Sequence, residues 1–431
     1  MKYFYYLIAG CLFLSSCTND NPIIDEPIIE ETENKDPNQD LLENPYKTIE
    51  LSEIEQAVAN CQTNFAFDFF NAASKRSDNE NFVVSPISAY VALSNIANGT
   101  AGETKDELIS RLLDKTANLD DLNNYNKRII AELSSLDKTV QVELANSIWY
   151  NPTLTIEPAF ASASKNFYNA SINSVDFSDP KSINVMNDWI SNASHGLIKK
   201  LSNPNSNTQL IIANVLYYNG KWMLPFDKTK TEEADFYNND GSTSKIKMME
   251  GEHYHYFQAD EVNGKFVIVK IPYGYRNFSF YVAFSIDEND YSLNDIDKIF
   301  SANNLNKINR YAKYGKKFVK LPRFEVSSDD QITQDMEAIG LGNLFSDKAD
   351  LTNLTKQPLG EKFIIQKCTL KVEETGAEGS ALTEYDIISS DIDSKPILVE
   401  NPSFIVDRPF VFWIMEENTN SILFMGQINK L

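Results

Sequence analysis

The chain has 431 residues, 42% hydrophobic and 23% charged, with 61 Asp and Glu against 39 Lys and Arg for a net charge of −22. That composition excludes disorder over most of the length and supports a sizeable core without staples. The acidic balance excludes a phosphate-rich partner, which needs Lys and Arg gathered on one face, so no nucleic acid is expected.

The N-terminus carries Lys2 and then an apolar stretch, Leu7 to Leu14, too short to span a bilayer, which reads as a signal peptide over residues 1–16. Leu14-Ser15-Ser16-Cys17 resembles a bacterial lipobox. That resemblance implies cleavage before Cys17 and lipidation of its thiol, hence an exported protein anchored to an outer membrane or cell surface. Residues 17–50 read as an acidic tether: Thr18 to Glu50 holds ten acidic residues against Lys35 and Lys47, with Pro22, Pro27, Pro37 and Pro45 and no regular period. With Cys11 removed and Cys17 acylated, Cys61 and Cys368 remain, and two isolated thiols are expected rather than a disulfide.

The body starts near Leu51. Ile54, Val58, Phe65, Phe69 and Phe70 have the spacing of a helix with one apolar face. Ser85-Pro86 places a cap residue before a proline at the first helical position, with Ile87, Val91, Leu93 and Ile96 on the buried side. Further helices fit Thr104 to Leu113, Leu122 to Leu136, Glu157 to Tyr168 and Lys181 to Leu201. The period then changes. Leu210 to Tyr218, Phe266 to Ile271, Phe278 to Ile286, Lys317 to Val326 and Ile364 to Val372 are strand-like, and Phe404 to Ile414 with Ser421 to Ile428 form a hairpin pattern around Glu416 to Asn420. No repeat and no second composition break appears, so an α+β single domain over 51–431 follows.

Catalytic signals are weak. The only histidines are His195, His253 and His255, none beside a G-x-S-x-G nucleophile setting, and neither phosphate-binding glycine motif occurs. His253 and His255 alternate as on one strand face, but no further ligand is near in sequence, so a surface strand is expected and no metal or other cofactor. The chain is not expected to be an enzyme.

Asn81-Phe82-Val83-Val84-Ser85-Pro86-Ile87-Ser88 resembles the opening signature of the serpin family, and ordered matches continue to the C-terminus. They include Ala145-Asn146-Ser147-Ile148-Trp149-Tyr150, Val175-Asp176-Phe177, Ile183 through Trp189 to Ile198, and Asn214 through Gly220-Lys221-Trp222 to Phe226, Thr231 and Phe236. Asp407-Arg408-Pro409-Phe410 and Phe424-Met425-Gly426 complete the set. The resemblance implies three β-sheets, eight or nine helices and an exposed reactive-centre loop, here about Glu374 to Pro402. It implies a monomer that traps a serine, or also a cysteine, protease when the cleaved loop inserts into the main sheet. A non-inhibitory binding or scaffold protein, cleaved only as a substrate, is the alternative.

Insertion buries every second side chain, so the loop's alternation can be read directly. Ala377, Gly379, Ala381 and Thr383 make one small, uncharged phase, continued by Tyr385 and Ile387; Glu378, Ser380, Leu382 and Glu384 make the other. The resemblance assigns Glu374, Thr375, Gly376, Ala377, Glu378, Gly379, Ser380 and Ala381 to the hinge. It assigns Ser85, Ser88 and Asn214 to the hydrogen-bonded shutter, with Gln366 where a histidine is common, and Trp222, Arg323 and Glu374 to the breach at the top of the sheet. Family spacing from Glu374 puts the scissile bond at Ser390-Asp391, with Ile388, Ser389 and Lys395 as alternatives because the loop is longer than usual. Ile387 to Ser390 suit an elastase-like or subtilisin-like protease, whereas Lys395 precedes Pro396, a poor substrate bond.

Overall fold

A computed structural model describes residues 46–200, 204, 206–258, 265–287, 290–300, 305, 313–360, 362–377 and 404–431, the side chains of 252–258 and 313–317 excepted. In chain order the first part comprises α1 (Glu53–Ser77), β1 (Phe82–Val84), α2 (Pro86–Ala97), α3 (Gly102–Leu112), α4 (Leu119–Leu133), β2 (Val140–Tyr150), α5 (Pro158–Tyr168), β3 (Ser171–Ser174) and α6 (Pro180–Ala193). The second comprises β4 (Leu210–Lys221), β5 (Glu232–Tyr237), β6 (Thr243–Gln258), β7 (Phe266–Tyr273), β8 (Phe278–Ser285), β9 (Lys313–Pro322) and β10 (Phe324–Gln331). It ends with α7 (Thr333–Ala338), α8 (Gly342–Phe345), β11 (Ile365–Val372), β12 (Gly376–Ala377), β13 (Phe404–Ile405), β14 (Phe410–Glu416) and β15 (Ile422–Ile428).

Among the described residues the strands form three sheets: nine strands ordered β1-β15-β14-β8-β7-β6-β9-β13 with β5 on β6, a pair β10-β11, and four strands ordered β12-β4-β2-β3. With eight α-helices among the described residues the architecture is α+β, as the sequence patterns require. The core forms where α1 and α2 pack on β15 of the nine-stranded sheet, α2 also packs on β4, and α4 packs on β2. Every residue of β14 and β15 is buried, and so is nearly all of α2, whose apolar residues run round the whole helix rather than along one stripe.

Local chemistry fixes several boundaries. Ser52 and Glu55 form a capping box that starts α1, whose inward face carries Phe65, Phe69 and Phe70, while Ile54, expected on that face, is 44% exposed. Pro86 opens α2, but Ser85 does not cap it: its hydroxyl donates instead to the Leu423 carbonyl, 2.7 Å away. The helix expected to reach Leu201 ends at Ala193, where Ser194 closes it and His195 and Gly196 turn with positive φ. The single strand expected from Lys317 to Val326 is two strands. Pro322 lacks the N–H that would continue β9, Arg323 donates its own to the Lys247 carbonyl, and β10 leaves for a different sheet. Tyr46 to Glu50, read as the end of the tether, packs on the body: Ile49 is buried and the Lys47 carbonyl accepts from the Asn277 side chain at 2.6 Å. Cys61 and Cys368 are unpaired.

Candidate functional site: an open seam between two strands

Strand β4 pairs along its whole length with β2, from Leu210↔Tyr150 to Gly220↔Val140. On its other side its only partner among the described residues is β12, at Gly376↔Lys221 and Ala377↔Gly220. Among the described residues strand β11 pairs only with β10. Between β4 and β11 lies a cavity of about 960 Å3. Its floor is the face of α2 that carries Ser88, Ala89, Ala92 and Ile96, and its roof is formed by Ile190, Ser194 and Leu197 from the end of α6 and the chain after it. Two strand edges that have little or no ladder partner among the described residues, facing one cavity, are a template for a further strand.

The upper end of the seam is where Trp222, Arg323 and Glu374 meet. The Trp222 indole N–H donates to the Glu373 carbonyl at 2.8 Å, and its backbone N–H to the Thr375 carbonyl at 3.1 Å. Its ring stacks on Tyr273 at 4.3 Å and 11°. Glu374, 4% exposed, accepts from the Thr231 hydroxyl at 2.9 Å and faces Arg323 at 3.7 Å. This charge is buried and hydrogen-bonded, unlike the exposed pair that such residues usually make. The chain then reverses at Glu373↔Gly376 and enters the seam. Gly376 has φ +141°, and a Cβ there would strike the Gly220 carbonyl, so only glycine fits this reversal.

The four polar residues expected midway along the seam fall into two groups, one on each wall. On the β11 side the Gln366 amide bonds both backbone groups of Ser85, accepting from its N–H at 2.9 Å and donating to its carbonyl at 2.8 Å. On the β4 side the Ser88 hydroxyl donates to Asn214, Asn214 donates to Asn146 at 2.8 Å, and Asn146 donates to the Tyr168 carbonyl at 2.8 Å. Both groups hang on α2 and its N-cap. Cys368 is buried beside Ser85, and burial pushes its thiol up to about 12.

Glu374, Thr375, Gly376 and Ala377 are thus brought to the top of the seam. Glu378, Gly379, Ser380 and Ala381, the bond Ser390-Asp391 and its alternatives Ile388, Ser389 and Lys395, and Cys17 lie outside the described residues. His253 and His255 lie in β6, their side chains outside the description, and no cluster of metal-ligating residues occurs among the described ones. Sequence reasoning did not single out Asn146 or Thr231 as partners. Asn146 lies directly opposite Asn214, a relation that exists only once β2 and β4 are known to pair.

Residues 60–431 match the family model described as Serpin (serine protease inhibitor). Serpin-ZX of Arabidopsis thaliana is 30% identical over 375 residues, 82% of this chain and 92% of that protein. Neuroserpin of Homo sapiens is 28% identical over 387 residues, 87% of this chain and 91% of its own. Among solved structures, the thermophilic serpin tengpin in the native state superposes with a TM-score of 0.77 at 25% identity, covering 90% of this chain and 97% of that one. Human thyroxine-binding globulin complexed with thyroxine superposes at 0.76 and 21% identity, over 87% and 99%. Family and fold support a protease-inhibitor function in general, with proteases as the partners on which such proteins act; members of this family are mostly inhibitors rather than catalysts. The chain, matched over nearly all of its folded body, belongs to the serpin family.

Proposed function

We propose that this serpin is a single-use inhibitor that traps the acyl-enzyme of a serine, or also a cysteine, protease by drawing its cleaved loop into the seam between β4 and β11. The observation that carries this reading is the pairing of Gly376 and Ala377 with β4 at the top of that seam, with Ala377 buried. Extending the same antiparallel register along the sequence sets Gly379, Ala381 and Thr383 opposite Tyr218, Leu216 and Asn214. Those positions of β4 alternate toward α2, as the Ser88 to Asn214 bond requires. The small phase of the loop would be buried and Glu378, Ser380, Leu382 and Glu384 would face outward, so insertion would bury no charge.

In this reading Glu374 to Ala381 is the hinge, Trp222, Arg323 and Glu374 hold its root, and Ser85, Ser88, Asn214 and Gln366 line the seam that the strand must fill. Cleavage breaks one peptide bond and leaves the acyl group on the protease. Filling the seam then drags the bound enzyme along the sheet before water can release it, a stored-strain switch. Ile387 to Ser390 favour an elastase-like or subtilisin-like target cleaving near Ser390-Asp391. Cys17 would carry the lipid that tethers the monomer to the surface it protects.

The test is incubation of residues 46–431 with elastase-like, subtilisin-like, trypsin-like and papain-like proteases, followed by denaturing electrophoresis and mass spectrometry of the loop. A denaturant-resistant complex establishes the trap and locates the bond. Clean loop cleavage with fully active protease throughout the panel points to the non-inhibitory alternative.

A further inference from the structure

The roof of the seam is fastened at one place that insertion chemistry does not explain. Glu143 of β2 and Tyr217 of β4 are direct cross-strand partners on the outer face of the sheet, opposite to the face that packs on α2. His195, in the turn that follows α6, spans both. Its Nε2 donates to the Glu143 carboxylate at 3.1 Å, and its ring stacks on Tyr217 at 4.0 Å and 28°. Tyr217 is only 6% exposed although it points away from the core, because this turn covers it. His195 achieves the contact with φ +51°, a conformation that non-glycine residues rarely adopt.

The turn itself is stiff. Gly196 N–H donates to the Ser191 carbonyl at 2.7 Å, and the Ser194 hydroxyl accepts from Ile198 N–H at 3.0 Å and donates to its carbonyl at 3.1 Å. Ser194, Leu197 and Ile198 line the cavity between β4 and β11, so the residues on either side of His195 roof the space that an added strand would occupy. The helical part of the roof is held independently, by Trp189 against Trp149 at 6.3 Å and by Met186 in the same apolar cluster.

We propose that His195 is a positioning latch: by pinning the turn after α6 to the Glu143–Tyr217 pair, it holds the roof down over the seam and sets the rate at which a strand enters. This rests on the insertion reading above. The latch closes across β2 and β4 only, and the seam opens on the other side of β4, so releasing it frees the roof without breaking the sheet. Its parts are a half-exposed hydrogen bond and one ring stack, each small, which suits a rate-setting contact better than a structural one.

The test uses residues 46–431 and a synthetic peptide with the sequence of residues 377–387, its uptake followed by native gel shift. His195→Ala should take up the peptide roughly threefold to tenfold faster than the parent. His195→Gln, which keeps a donor for Glu143 but loses the stack, should fall between. Glu143→Gln should also speed uptake, and the double variant should be no faster than His195→Ala, since both remove one contact. Equal uptake by all variants overturns the latch. So does an additive double variant with a lowered melting temperature, which would mean general loosening. If the parent takes up no peptide and gains no stability on loop cleavage, the insertion reading itself fails.

Discussion

Ala377 lies opposite Gly220 with 2% of its surface exposed, one residue past a glycine that only glycine can replace. In the insertion reading this pair sets the phase of the inserted strand: loop residues in step with Ala377 would face α2, and those out of step would face away.

Replacing Ala377 with Arg therefore forces a guanidinium into the apolar top of the seam. The substitution should turn inhibitor into substrate, raising the inhibitor consumed per protease trapped by at least about tenfold, the equivalent of about 1.4 kcal/mol against insertion. Glu378→Arg, one step out of phase, should leave the ratio nearly unchanged. Measured stoichiometries that rank the two the other way refute the register.

Asn214 joins Ser88 to Asn146 across one wall of the seam. Asn214→Ala strands the Ser88 hydroxyl and the Asn146 side-chain Oδ1, both in buried or partly buried positions, and should destabilise the intact protein by about 1–3 kcal/mol in urea unfolding. Ser88→Ala with Asn214→Ala should cost less than the sum of the two, because they share one bond. Additive losses would mean that the bond contributes nothing.

Cys368 gives a pH prediction. Its folded thiol titrates near 12, against an ordinary 9, because burial disfavours the thiolate. The folded state therefore keeps a proton that the unfolded chain releases. Stability from this group is fully present below pH 9 and is lost as pH rises from 9 toward 12, at up to about 1.4 kcal/mol per unit. In practice Cys368 should resist iodoacetamide at pH 8.5 in the native protein and react in denaturant, read by peptide mass mapping. Rapid native labelling would mean that the β11 wall opens far more often than its packing allows.

Much of this was legible in the residues. The alternation that buries Ala377, the proline that opens α2 and the apolar helices and strands all follow from local chemistry. Ser85 shows where such reading stops. Its position before Pro86 suggests a cap, yet its hydroxyl is taken by Leu423, a neighbour 338 residues away in sequence. The same holds for Asn146 and Thr231, ordinary polar residues until β2 pairs with β4 and Glu374 is buried. His195 carried no signal as a latch, since its two partners meet only through strand register. Pro322 could have marked the break between β9 and β10, because a proline in a central run argues against one continuous strand. Ile54 was misplaced because its spacing fits the apolar face while its position, one residue into α1, lies beyond the core.

The central claim is that the seam between β4 and β11 is the berth of the cleaved loop. The most direct measurement is the melting temperature of residues 46–431 before and after one cut within 382–396, made by a protease that is then removed. Filling the seam should raise it by roughly 10 °C or more, since each kcal/mol moves a domain of this length by about 1–2 °C. A cleaved protein that melts with the intact one would contradict the account, leaving a serpin fold whose seam is not filled by its own loop.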